Sequence, residues 1–228
     1  MGTDPVEGVW KKEEIDMKIE VWSDFVCPFC YIGKRRLEKA LELFDYRDEI
    51  EIVYRSFELD PGAPKDTESS IHELLAVKYG LSLQQAQESN RNVAQQAQTE
   101  GLTYNFDTIV PTNTFEAHRL AHYAGQQGKA KEMNERLFRA YFTDSLHIGE
   151  HETLVRLAEE VGLNGSAVRD VLEQNAYADE VREDENEARR LGIRGVPFFV
   201  LRGKYAVSGA QPLEIFQGAL LRAWEDRE

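Results

Sequence analysis

Met17-Lys18-Ile19-Glu20-Val21-Trp22-Ser23-Asp24-Phe25-Val26-Cys27-Pro28-Phe29-Cys30 is the stretch that decides the fold. Its first six residues read as a strand, and Tyr31 to Phe44 reads as an amphipathic helix. Gly33, Leu37, Ala40, Leu41 and Phe44 share one face of that helix at three- and four-residue spacing. Cys27 and Cys30 are the only two cysteines of the 228-residue chain. A C-x-x-C that ends a strand and opens a helix puts its first thiol at the helix N-terminus. Unpaired amide N–H groups and the helix dipole there favour a thiolate. The second thiol, one turn in, can close a short disulfide with the first. That is the arrangement of a reversible thiol–disulfide couple.

Other readings of the pair have weaker support. A structural zinc site wants more ligands than one C-x-x-C supplies. His118/His122 and His147/His151 are each four apart on a helix, yet neither pair belongs to an H-E-x-x-H and neither has an evident third ligand. No metal is therefore expected. An inert buried cysteine pair is the remaining alternative, and a lone C-x-x-C at a strand–helix junction more often reads as redox.

Elsewhere the pattern is strand–helix–strand, a long helical stretch, then strand–strand–helix, which makes an α/β fold. Glu49 to Arg55 alternates as a second strand, and Asp60-Pro61-Gly62-Ala63-Pro64 breaks the chain. From about Asp66 to Arg190 the periodicity is helical, and Ile71, Leu74, Leu75 and Lys78 mark one face of its first helix. Ser82 with Gln85 reads as a capping box. Gly101, Gly125 or Gly128, Gly162 and Gly192 mark helix ends. Pro197 to Leu201 and Tyr205 to Ser208 read as a hairpin about Arg202-Gly203-Lys204, and Pro212 falls in the first turn of the last helix. In Gly195-Val196-Pro197-Phe198-Phe199-Val200 a proline heads an apolar strand, where its missing N–H is tolerated. Read from the residues alone it is a trans strand-starter or a cis turn, and cis X-Pro bonds are only about 5–6% of such bonds.

Cys27-Pro28-Phe29-Cys30 and Gly195 to Val200, taken together, resemble the DsbA-like thioredoxin-fold family, and within it the cytoplasmic FrnE-type branch. That branch is also similar to 2-hydroxychromene-2-carboxylate isomerases and kappa-class glutathione transferases. Pro111-Thr112-Asn113-Thr114-Phe115-Glu116-Ala117-His118-Arg119-Leu120 and Val207-Ser208-Gly209-Ala210-Gln211 resemble further segments of the branch. The resemblance runs from Met17 onward and implies a thioredoxin-like domain made of residues 17–59 and 191–228. Residues 60–190 are then an all-helical insertion. Residues 1–16 read as an N-terminal extension, either a loose native segment or an added one, and Met17 is a candidate natural start.

The resemblance implies a thiol–disulfide oxidoreductase or isomerase in which Cys27 attacks and Cys30 resolves. The Val196–Pro197 bond is expected to be cis, packed against the cysteines and offering backbone to an extended substrate. Pro28 suits the helix start, and Phe29 is the aromatic most exposed among Phe25, Phe29, Tyr31 and Phe198. His118 and Asn113 would border the redox cleft in support. The implied partners are protein thiols and disulfides or small thiols, without a bound cofactor, glutathione serving as a redox partner. A glutathione-dependent isomerase or transferase is the competing enzyme reading, although the related isomerases carry serine where Cys27 stands. A non-enzymatic redox sensor is the third. The second cysteine pair that the branch sometimes carries has no counterpart here.

A formal charge of −14, from 41 acidic against 27 basic residues, argues against nucleic-acid or anionic-membrane partners. No apolar run approaches the ~18–20 residues that span a bilayer. Met1 to Asp16 lacks the apolar core of a secretory signal. Together with a lone redox pair, this places the expected compartment in the cytoplasm.

Overall fold

The computed structural model describes residues 16–226, so the extension read over 1–16 lies, Asp16 apart, outside the described residues. Strand β1 (Met17–Ser23) is the centre of a four-stranded sheet. It pairs in parallel with β2 (Ile50–Ser56), a topology that needs a crossover, and α1 (Pro28–Glu42) supplies it. On its other edge β1 pairs antiparallel with β3 (Phe198–Leu201), which turns back into β4 (Tyr205–Ser208). Arg202 and Gly203 have φ of 54° and 67°, two consecutive left-handed residues of the kind a tight primed hairpin turn requires. The register sets Trp22 opposite Phe198. The end of β1 that leads to the cysteines therefore lies beside the head of β3, where Pro197 sits.

Both faces of the sheet are covered. Met17, Ile19 and Val21 pack with Leu37 and Ala40 of α1 and with Phe216, Leu220 and Trp224 of α9 (Leu213–Glu225). Trp22 and Val200 face the other way, onto Ala188 of α8 (Ala178–Arg190) and Ile193. α8 belongs by sequence to the stretch read as an insertion, yet it serves as the sheet's second cover. The remaining helices are α2 (Ile71–Tyr79), α3 (Leu83–Thr99), α4 (Phe115–Gln126), α5 (Ala130–Phe142), α6 (His151–Glu160) and α7 (Gly165–Glu173). They surround a second core that reaches into the cysteine segment: Phe25, Cys27, Cys30, Tyr31 and Ile32 cluster with Tyr104, Leu120, Leu137 and Phe138.

The capping box at Ser82 forms as read, and Ser70 with Glu73 makes another. Three readings need correction. Helix α1 begins at Pro28 rather than Tyr31, because proline's fixed φ and absent N–H suit the first helical position. Pro212 is the N-cap of α9, one residue before its first turn. Residues 100–114 are not helical. Leu102, Tyr104 and Phe106 are buried and alternate with exposed Thr103 and Asn105, the two-residue period of an extended stretch, which ends in a turn at residues 106–108.

Candidate active site

The site forms where β1 ends. Cys27 is the N-cap of α1, with extended backbone (φ −89°, ψ 112°) and no side-chain capping bond, and Pro28 follows at the first helical position. The two thiols are unbridged. Cys27 is 5% exposed and Cys30 1%, while Phe29 between them is 40% exposed. The outer thiol therefore lies nearer the surface than the inner one, beside an exposed aromatic ring.

The Val196–Pro197 peptide is cis. The Cys27 thiol donates to the Val196 carbonyl with Sγ 3.6 Å from the oxygen. Pro197 also meets α1: a Cβ built at Gly33 would lie 3.0 Å from Pro197 Cγ and 3.1 Å from Phe199 Cζ. Only a residue without a side chain allows so close an approach of helix and loop. From the inserted segment, the Tyr104 hydroxyl donates to the Pro28 carbonyl at 2.7 Å. Tyr104 also stacks on Phe142, with ring centroids 4.4 Å apart. The head of α1 is thus met by the proline loop at Cys27 and Gly33 and by the inserted segment at Pro28.

Beneath the thiols lies a buried polar group of residues. The Asp24 amide N–H donates to Cys30 Sγ at 3.5 Å, and Asp24 Oδ2 accepts from the Leu59 amide at 2.8 Å. His118 Nε2 stands 3.4 Å from Asp24 Oδ1, and neither of these atoms has a hydrogen-bond partner. The His118 ring packs 4.8 Å from that of Phe25. Burial, and then the neighbouring Cys27 thiol and Asp24, push the Cys30 thiol well above its ordinary pKa. Glu58 is raised as well, by burial against the lowering influence of Arg182 and His118.

The structure brings Cys27, Cys30, Pro28, Phe29, Val196 and Pro197 together and sets His118 behind Asp24. Asn113 plays a more distant part. Its Nδ2 donates to Glu58 and its Oδ1 accepts from the Phe115 amide at 2.8 Å, fixing the start of the helix that carries His118. Phe25 and Tyr31 are core residues at 1% and 3% exposure, because the helical module covers them. Tyr104, the approach of Pro197 to Gly33 and the Asp24–His118 contact escaped the sequence reading. For Tyr104 a signal existed in the alternating Leu102-Thr103-Tyr104-Asn105-Phe106.

The other histidines engage separate carboxylates: His72 with Asp107, His122 with Asp184, His147 with Asp66 and His151 with Glu116. Among the described residues no group of three or more His, Cys, Asp or Glu could hold a metal, and no helix is long and apolar enough to cross a membrane.

A cysteine pair at the head of a helix, faced by a proline loop on a mixed four-stranded sheet, is the arrangement of a thioredoxin fold. The DSBA-like thioredoxin domain model matches residues 18–221, and the chain belongs to that family. It is 31% identical over 204 residues to YwbO of Bacillus subtilis (strain 168), a match spanning 89% of this chain and 94% of that protein. A crystal structure of a probable DsbA oxidoreductase, SCO1869 from Streptomyces coelicolor, is 48% identical with a TM-score of 0.89, covering 93% of this chain and 92% of that one. A 2-hydroxychromene-2-carboxylate isomerase shares the fold at 20% identity and a TM-score of 0.67, covering 91% and 96%. The family and its 48%-identical relative support an oxidoreductase class, and the likeness to the isomerase is one of fold alone.

Proposed function

We propose that the protein is a thiol–disulfide oxidoreductase acting through Cys27 and Cys30. The observation that carries this is the Cys27 thiol at the N-cap of α1, 3.6 Å from the carbonyl of Val196. In the reducing direction the Cys27 thiolate attacks a substrate disulfide, forming a Cys27–substrate bond and releasing one substrate thiolate. Cys30 then gives up its proton and attacks Cys27 Sγ. The second substrate thiolate leaves, and two electrons have passed from the cysteine pair to the substrate. The reverse sequence oxidises a dithiol.

Burial makes Cys30 hard to deprotonate, so the resolving step needs a neighbouring base. Asp24 and His118 supply it in this proposal: the backbone amide of Asp24 donates to Cys30 Sγ, which fixes Asp24 beside the thiol, and Asp24 Oδ1 and His118 Nε2 stand 3.4 Å apart without a hydrogen-bond partner. Protein disulfides and small thiols are the substrates, no bound cofactor is required, and a small thiol such as glutathione restores the pair. A cytoplasmic setting is part of the proposal and rests on the use of a single redox pair.

Insulin reduction in the presence of a thiol reductant tests the assignment. Cys27→Ser abolishes turnover, whereas Cys30→Ser accumulates mixed disulfides on Cys27. Equal loss without trapped species in the second variant would refute it. Asp24→Asn and His118→Ala let Cys27 attack but slow resolution. Mixed disulfide then builds up near neutral pH and clears as the pH is raised, because Cys30 loses its proton unaided. A delay that does not respond to pH would remove the base from the mechanism.

A further inference from the structure

Beside the cis proline lies an open groove of about 420 Å³, lined in part by Gly192, Arg194, Gly195, Val196, Phe198 and Ser208. That volume falls in the roughly 300–1,000 Å³ range of small-ligand clefts. The groove shares Val196 with the thiol, whose Sγ touches that residue's carbonyl. Arg194 is its one charged lining residue. Although the chain carries 41 acidic residues, Arg194 is exposed and makes no hydrogen bond or ion pair with any described residue. Arginines nearby in sequence or space behave differently: Arg182 is held by Glu58 and Glu185, Arg190 by Glu183 and Glu187, and Arg36 by Glu100. The amides of Gly195 and Val196 are also without partners among the described residues.

A guanidinium offers a planar fork of donors that matches a carboxylate. Arg194 and Val196 line the same groove two residues apart, so at most about 7 Å of backbone separates them. A carboxylate on the same small thiol, or on the residue beside a reacting peptide cysteine, is carried within a similarly short span of the sulfur. We propose that Arg194 makes this groove a subsite for a carboxylate carried by the thiol or disulfide substrate. The inference rests on the reading of Cys27 as the exchanging thiol and adds a substrate class to it. The carboxylate comes from a small anionic thiol of the glutathione type or from an acidic residue beside a protein cysteine.

The test measures rates of exchange of the reduced protein with two pairs of disulfides. One pair is glutathione disulfide against the cationic cystamine. The other is a peptide disulfide flanked by aspartates against the same peptide flanked by lysines. The quantity read is the anionic-to-cationic rate ratio. Arg194→Ala is expected to lower it by about fivefold, the worth of one exposed ion pair, and Arg194→Glu by more. Arg194→Lys retains most of it, and added salt lowers it in the native protein. A fall with the small disulfides alone assigns the subsite to a small anionic thiol, and a fall with the peptides assigns it to acidic protein segments. Ratios that Arg194→Glu leaves unchanged in both pairs overturn the subsite while leaving the exchange reaction standing. Failure of the native protein to exchange with any of the four disulfides would instead overturn the functional reading, and the subsite with it.

Discussion

Phe29 stands between the two cysteines in sequence, with its ring exposed. In DsbA a histidine stands before the second cysteine, and the couple is strongly oxidising, near −120 mV against about −270 mV for thioredoxin. Phe29 offers neither a charge nor an N–H donor. Asp24, buried against Cys30, opposes a second anion. The potential is therefore expected between those two values, and Phe29→His should move it toward the oxidising side. Equilibration with a glutathione buffer measures both. A native potential at or above that of DsbA, or no response to the substitution, would show that another group controls the couple. Tyr104 acts on the same dipeptide from outside. Removing its hydroxyl in Tyr104→Phe deletes the bond to the Pro28 carbonyl at a cost of about 1 kcal/mol. The chemical-denaturation midpoint should fall with little change in slope.

At the scale of elements, α1 is the part everything else grips. Its Gly33 permits the close approach of Pro197, and Gly33→Ala would force either the proline ring or the buried Phe199 to give way. Overpacking of this kind typically costs about 1–3 kcal/mol. Because the displaced loop carries Val196, disulfide exchange should slow together with the loss of stability. A variant as active as the native protein would mean that the loop yields without moving the Val196 carbonyl.

On its outer side α1 is tied to α5 through Glu135, which accepts from Tyr31, Lys34 and Arg35. Burial alone would raise this carboxyl, but Lys34, the Tyr31 hydroxyl and Arg35 outweigh it and hold its pKa at about 2. A carboxylate lowered on folding stabilises above its unfolded pKa of about 4.3, and that contribution is lost as pH falls through the folded value. The stability advantage of the native chain over Glu135→Gln should therefore be full at pH 7 and shrink between about pH 4 and pH 2. Urea unfolding across that range checks it. An advantage independent of pH would mean that packing, not charge, joins the two helices.

Over the whole molecule, the cysteine pair stands where two cores meet. β1, α1 and α9 enclose one, and the helical module encloses the other, which contains both thiols. Opening the module is then the way Cys30 reaches solvent. In a Cys27→Ser background, alkylation of Cys30 across a urea gradient should follow the loss of helical circular dichroism. Labelling well before the helices melt would show that the sheet layer and the module part independently.

The sequence by itself determined the local elements and the chemistry. A strand, the cysteine pair at its junction with a helix, a capping box and glycines past helix ends are legible because they act through neighbours a few residues away. The order of elements, with Pro197 heading a late strand, was legible in the same way, and so was the α/β class. Tertiary structure decided what touches what. That Val196 meets Cys27 follows from the β1–β3 register, a pairing of residues some 170 positions apart that no local pattern encodes. The pairing of Asp24 with His118 depends on how the module settles on the sheet. The same packing turned Phe25 and Tyr31 into core residues and set α8 against the sheet as well as against α4. Apolar residues record that they will be buried, because the hydrophobic effect is non-directional. Which partners bury them is settled only when the cores close.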